Sequence, residues 1–286
     1  MSSTAAAAAA EVPHIGREHI TGRDAVVDAL VIARRNLIRV VRLPQLLILS
    51  IAQPVMFLVL FNYVFGGAVG QSLPEVVQGK YIIFLLPGLM VQISVFGAGQ
   101  TALGLTEDLA KGVIERFRSL PMARSAVLAG RSLADLFRNA IVMALMLVIA
   151  FLMGFRWQTD LPGFLGGFAL VLLFSYTLSW VMATIGLLVK NPEAVQTAIF
   201  LPVFPFVFAS AVFIPTQTMP GWLQAFANNQ PITVIANAIR GLMIGPELLL
   251  PGQTVTGQVI MALLWMAGIM AVFAPLAVRL YRRAVL

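Results

Sequence analysis

Cysteine is absent from the 286 residues. That removes disulfides, thiol nucleophiles and cysteine-type zinc sites, and it says nothing about compartment. Histidine is nearly absent too. His14 and His19 both lie in the N-terminal tail, so the apolar remainder has no imidazole for catalysis, metal binding or proton relay. Charge is scarce: 11% of residues against about 25% in an ordinary soluble domain. No Gly-x-x-x-x-Gly-Lys-Ser/Thr occurs, so the chain has no P-loop of its own. No His-Glu-x-x-His and no Ser–His pair occurs in the apolar runs, which argues against an intramembrane hydrolase. Nor does a carboxylate or histidine fall deep inside an apolar run. Proton-coupled transporters keep such groups despite an insertion cost of about 2.5–3.5 kcal/mol each. Sodium coupling through backbone carbonyls stays open. If the protein moves something uphill, the sequence predicts that the energy enters from outside the bilayer, through a charged docking element.

What is present is apolar. The chain is 59% hydrophobic with mean hydropathy +0.91, and its apolar windows near twenty residues predict an all-α integral membrane protein. The runs are continuous rather than alternating, which excludes a β-barrel. Six transmembrane helices are expected at about 45–66, 81–106, 132–154, 163–189, 194–213 and 256–278. Residues 1–20 read as a disordered tail without the basic start and apolar core of a signal peptide. Residues 21–43 read as an amphipathic helix. Val26, Leu30, Ala33, Leu37 and Val41 share one face, and Arg35, Arg39 and Arg42 fall on the other, with Asp28. A helix on the inner leaflet and a plain soluble helix both fit that pattern. Residues 44–286 then form the membrane domain.

Orientation follows from Arg and Lys. Fifteen of the nineteen fall in the N-terminal segment, the loop between the second and third runs, the loop after the fourth, and the C-terminus. Lys80, Arg156 and Arg240 fall in the opposite loops. Both termini are therefore expected in the cytoplasm, and the net charge of +7 reads as this bias rather than as a nucleic-acid surface. Arg138 lies just inside the third run, where it can pair with Asp135 three residues earlier. After the fifth run, residues 214–255 hold two apolar stretches too short to span, Trp222–Ala227 and Ile232–Ile244, expected as outer re-entrant or interfacial helices.

The charged exception is 107–121, which holds three of the twelve acidic and three of the nineteen basic residues. On a helical wheel Leu109, Val113, Phe117 and Leu120 form a stripe opposite Glu107, Lys111, Glu115 and Arg118. Glu107–Lys111 and Lys111–Glu115 are i,i+4 pairs of opposite sign, Glu107 and Asp108 sit where a helix N-terminus favours acids, and Pro121 marks a stop. Such a helix either anchors a loop at the interface or docks on a soluble motor subunit. Within the runs, Gln53, Asn62, Gln92 and Gln100 either line a substrate path or bond neighbouring helices. Phe200 and Phe204, in a phenylalanine-rich fifth run, either gate such a path or face lipid. Ser175, Ser179 and Ala183 recur every four residues as a small-residue packing seam.

The stretch Glu107–Arg124 resembles the cytoplasmic loop of type-2 ABC exporter permeases, the daunorubicin-resistance kind in particular. Lys111, Gly112, Glu115, Arg116 and Pro121 match its Lys-Gly-x-x-Glu-Arg core and the proline step after it. Leu85-Leu-Pro-Gly-Leu89, Lys190-Asn-Pro-Glu193, and Asn229-Gln-Pro-Ile-Thr233 with Asn237, Ala238 and Arg240 agree, in order, across 24–283. The resemblance implies a six-span permease in a bacterial plasma (inner) membrane. It implies pairing with a second permease copy, identical or related, and with two cytoplasmic ABC ATPase subunits that bind the ATP and Mg. It makes 107–121 the coupling helix (Glu107, Asp108, Lys111, Gly112, Glu115, Arg116, Arg118, Pro121) and 21–43 the connecting helix (Arg34, Arg35, Arg39). It also makes the chain a transport subunit rather than an enzyme. The apolar surface suits an amphipathic drug or lipid-like cargo moved outward. A secondary transporter or channel, and a non-transporting scaffold or immunity protein, are the rival readings.

Overall fold

A computed structural model describes Val31 and residues 44–71, 73–74, 77, 79–111 and 124–284. Among them every regular element is helical: α1 Pro44–Val64, α2 Gly66–Gly70, α3 Tyr81–Ala110, α4 Arg124–Leu152, α5 Leu161–Val189, α6 Pro192–Phe208, α7 Gly221–Asn229, α8 Pro231–Met243 and α9 Val255–Ala284. Four stretches are long and apolar enough to cross a bilayer, Tyr81–Ala110, Leu128–Leu152, Leu161–Val189 and Val255–Arg283. The first and fifth expected runs coincide with α1 and the shorter α6. The connecting helix and its Arg34, Arg35 and Arg39 lie outside the described residues.

The centre of the molecule is α3, whose apolar window is 89% buried, against 11% for α9. It packs chiefly on α5, and also on α1, α4, α6 and α8. The α3–α5 crossing is close because small residues line it: a Cβ on Gly186 would come 2.8 Å from the Ala102 carbonyl oxygen. The expected seam of Ser175, Ser179 and Ala183 is indeed buried on α5. The Lys190-Asn-Pro-Glu193 motif is a corner between helices. Lys190 stops α5 in the left-handed region at φ 59°, Asn191 caps α6 by accepting from the Glu193 and Ala194 amides at 2.9 and 3.2 Å, and Pro192 opens the first turn.

The helix of the fifth run ends five residues early, at Phe208, the last helix continues six residues further, to Ala284, and two more boundaries differ where α3 and α4 meet. The third run begins eight residues early, at Arg124, and the second continues four residues further, to Ala110. In both cases polar side chains pair between α3 and α4, so helix persists past the apolar run.

A larger difference concerns Arg240. Counted by sequence among outer-loop charges, it is fully buried within α8. Its Nε donates to the Phe84 carbonyl at 3.1 Å, Nη1 to Asn237 Oδ1 at 3.1 Å, and Nη2 to the Ala211 and Val212 carbonyls at 2.6 and 3.1 Å. Its guanidinium carbon lies 3.6 Å from the centre of the Phe84 ring. The need is local. After Phe208 the chain leaves helical geometry, yet Ser210–Phe213 are buried, and backbone without helix requires partners when water is excluded. Those partners come from one face of α8 and from α3. Gln230 Nε2 donates to the Ala209 carbonyl at 2.7 Å, Thr233 Oγ1 accepts from the Ala211 amide at 3.0 Å, and the Tyr81 hydroxyl donates to the Phe213 carbonyl. Gly88 lets α3 approach this segment, since a Cβ there would overlap the Val212 carbonyl. Pro87 has no N–H to give the Ile83 carbonyl, so the ladder of α3 is interrupted there, and the next carbonyl, that of Phe84, accepts from Arg240.

Replacing Arg240 leaves three buried carbonyls without this donor, at about 1–3 kcal/mol each. Arg240→Met should therefore lower stability by at least about 3 kcal/mol, and Gly88→Val should be similarly damaging. Arg240→Lys, with one nitrogen, should recover only part. Thermal unfolding in detergent, followed by monodispersity, checks this; a wild-type profile for Arg240→Met would contradict it.

Candidate transport cavity and its link to the charged end

Helices α1, α3 and α4 enclose a cavity of about 390 Å³. Gln53, Pro54 and Phe57 face it from α1, Gln92, Phe96 and Gln100 from α3, and Arg138 and Asn139 from α4. Three of the six residues expected to line a path, Gln53, Gln92 and Gln100, are thus brought together. Gln92 is buried, and its Oε1 has no hydrogen-bond partner.

The other three are placed elsewhere. Asn62 is half-buried near the far end of α1, outside the cavity lining. Phe200 and Phe204 are 52% and 44% exposed on α6. They belong instead to a row of touching rings. Phe96, Phe200, Phe204, Phe208 and Phe213 follow one another at centroid spacings of 5.9, 5.6, 4.2 and 5.0 Å, and Phe213 meets Phe57 at 6.2 Å. Both ends of the row, Phe96 and Phe57, line the cavity. The phenylalanines of α6 therefore flank the cavity wall without forming it. The reason is orientation: α6 turns one face to α3, where Val195, Ile199, Val203 and Val207 are buried, and the aromatic positions fall off that face.

The lining is also not wholly neutral, because Arg138 enters it. Arg138 stands at the top of a polar stripe on α4, with Arg131, Asp135 and Asn139 at helical spacing. Each meets α3 or α5. Arg131 pairs with Asp108, and a Cβ on Gly104 would overlap its guanidinium. Thr101 Oγ1 donates to Asp135 Oδ2 at 2.7 Å. Arg138 Nη2 lies 3.9 Å from Asp135 Oδ1 and donates to the Gly97 carbonyl at 3.0 Å. Asn139 Nδ2 donates to Ser175 Oγ on α5 at 2.8 Å. The expected Asp135–Arg138 pair is present but loose. From Asp108 to Gly97 the stripe climbs about 16 Å along α3.

The charged segment begins differently from its sequence reading. Glu107 and Asp108 do not open a separate helix; they end α3. Acids at a helix C-terminus are disfavoured by the helix dipole, and their cationic partners offset this. Lys111 Nζ lies 3.1 Å from Glu107 Oε2, an exposed pair of small worth, while Asp108 is held by the part-buried Arg131. Gly112, Glu115, Arg116, Arg118 and Pro121 lie outside the described residues. Sequence reasoning passed over Arg131, counting it only as a loop charge. The signal that finds it is its i,i+4 spacing to Asp135 once α4 is extended backwards.

No cluster of three or more His, Cys, Asp or Glu capable of holding a metal occurs among the described residues.

Comparison with known proteins bears on what this arrangement serves. Over 239 residues the chain is 37% identical to the daunorubicin resistance ABC transporter permease protein DrrB1 of Streptomyces coeruleorubidus, covering 84% of this chain and 80% of that one. It is 27% identical over 201 residues to the doxorubicin resistance ABC transporter permease protein DrrB of Mycobacterium tuberculosis, with 68% of each chain covered. Similarity extends to ABC transporter G family member 20 of Dictyostelium discoideum, 29% identical over 172 residues, though these span 58% of this chain and only 23% of that protein. The family model described as ABC-2 type transporter matches residues 28–244. A membrane chain of apolar helices, matched over most of its length in this way, belongs to the ABC-2 type transporter permeases.

Proposed function

We propose that this chain is the permease subunit of an ATP-driven exporter that moves an amphipathic, drug-like or lipid-like cargo outward across a bacterial plasma membrane. ATP and Mg bind a separate cytoplasmic ATPase, present in two copies, and a second permease chain completes the assembly. Both termini are cytoplasmic. Six helices cross: the four long ones together with α1, about 32 Å long, and α6, about 26 Å long. The helices α7 and α8 re-enter from the outer side. The daunorubicin and doxorubicin resistance named for the relatives supports the drug-like cargo class.

The observation that carries this reading is the polar stripe. It joins the end of α3, where the 107–121 segment departs, to the cavity wall at Arg138. Segment 107–121 docks on the ATPase, and movement of its first turn is transmitted along Asp108–Arg131, Thr101–Asp135 and Arg138–Gly97. The α3–α4 pair then shifts against α1, and the cavity changes the side to which it opens. Gln53, Gln92 and Gln100 bind cargo, and the aromatic row of α6 forms the apolar boundary of the path.

Three outcomes are expected. A soluble ATPase with Walker motifs should copurify with the chain in detergent; a stable complex lacking any ATPase would count heavily against the proposal. Charge reversal in the docking segment, Asp108→Arg or Glu115→Arg, should lower cargo-stimulated ATP turnover by about tenfold or more while leaving membrane insertion intact. For the first position, the swap with Arg131→Asp should restore part of the loss; full activity in both single variants would sink the coupling role. Gln92→Leu should shift the cargo concentration giving half-maximal stimulation, whereas no shift for any cargo would make Gln92 a packing residue.

A further inference from the structure

The buried Arg240 and the part-buried Arg138 differ in how completely the protein uses them. A guanidinium offers five N–H donors in a fixed plane and accepts nothing. In Arg240, Nε and both terminal nitrogens are engaged, by three carbonyls and one amide oxygen. In Arg138 only Nη2 donates, to the Gly97 carbonyl, and its Nε and Nη1 make no hydrogen bond among the described residues. Its acidic neighbour compensates weakly. Asp135 gives one oxygen to Thr101 and holds the other 3.9 Å from Arg138, and it does not line the cavity. Among the described residues that line the cavity, Arg138 carries the one formal charge and there is no carboxylate. Gln92 also lines the cavity, buried and with an oxygen that has no hydrogen-bond partner among the described residues, and Phe57 and Phe96 line it too.

A cation of strong hydrogen-bonding capacity held at a cavity wall with unused donors is a site for an anion, because charge-assisted bonds to phosphate or carboxylate are the strongest a guanidinium makes. The unpaired Gln92 oxygen asks for a neighbouring donor such as a hydroxyl. We infer that the cavity selects the acidic end of an amphipathic cargo: a phosphate or carboxylate on Arg138, an adjacent hydroxyl on Gln92, and the first carbons of the apolar tail between Phe57 and Phe96. This rests on the cavity being the cargo site and adds a charge preference to it. A cationic head group would meet the guanidinium, which the loose Asp135 pair offsets only in part.

The test uses the full chain in nanodiscs of phosphatidylcholine, with octyl phosphate, octyl glucoside and octyltrimethylammonium as probes of equal tail length, titrated by calorimetry. Octyl phosphate should bind about tenfold or more tighter than octyltrimethylammonium, the factor supplied by one charge-assisted bond. Arg138→Gln should erase that preference and Arg138→Lys should keep most of it. Equal affinity for the three head groups in the unsubstituted chain would overturn the inference even if Arg138→Gln fails to fold. Including phosphatidylglycerol in the nanodisc separates two sources of the anion. Competition with octyl phosphate in the unsubstituted chain, absent in Arg138→Gln, assigns the site to a lipid head group; preference without competition assigns it to a free acidic amphiphile. Gln92→Leu tells the two levels of failure apart. If it weakens all three probes and no charge preference exists, the cavity reading stands and the anion inference falls. If it changes none, the cavity itself is not the cargo site.

Discussion

Backbone that leaves helical geometry where water is excluded must find its hydrogen bonds elsewhere, and here that requirement organises one end of the molecule. The chain after α6 is buried as a turn at Ser210–Phe213, and its polar groups are met by Gln230, Thr233 and Arg240 of α8 and by Tyr81 of α3. The positions 230, 233, 237 and 240 share one helix face, so a single turn-and-helix unit supplies most of the donors. Because Arg240 also reaches the Phe84 carbonyl near the break at Pro87, the same side chain ties α3, α8 and the turn after α6 together. The fixed end of the bundle is therefore held by many short bonds with little room to slide.

The other end is built on a different principle. There α3 and α4 meet through a stripe of charged and polar side chains spaced by one helical turn, with bonds that are single and in one case loose. Such contacts are cheaper to rearrange than the saturated Arg240 cluster. The cavity lies between the two regimes, with α1 as its third wall. A molecule rigid at one end and adjustable at the other converts a small displacement of the α3 terminus into a change at the cavity. This division of labour matches the proposed role of a permease driven from outside.

Much of the fold was legible in the sequence, because apolar periodicity and turn residues act locally. The long helices appear close to where continuous apolar runs place them, and the Lys190-Asn-Pro-Glu193 corner reads directly as stop, cap and start. The pairing of Glu107 with Lys111 and of Asp135 with Arg138 follows from spacing alone. What the sequence hid depends on contacts far apart in the chain. Arg240 looks like an ordinary loop charge until the segment 156 residues away at Phe84 comes beside it. The early start of α4 is invisible to hydropathy because the stabilising partner of Arg131 is Asp108 on another helix. Phe200 and Phe204 satisfy every compositional test for a gate, yet the rotation of α6 about its axis, which no single run encodes, puts them beside the cavity instead of in it.

In the proposed mechanism the nucleotide state of the ATPase partner reaches the cavity through α3 and α4. Because the chain has no cysteine, spin labels can be placed cleanly at Gln53 and Gln100, two exposed residues of the cavity wall on α1 and α3. The most direct measurement is the distance between those labels by pulsed electron resonance, in the assembled complex, with and without ATP held unhydrolysed. The account predicts a shifted distance distribution on ATP binding that Asp108→Arg suppresses. The same distribution in both nucleotide states, in a complex that still hydrolyses ATP, would contradict it.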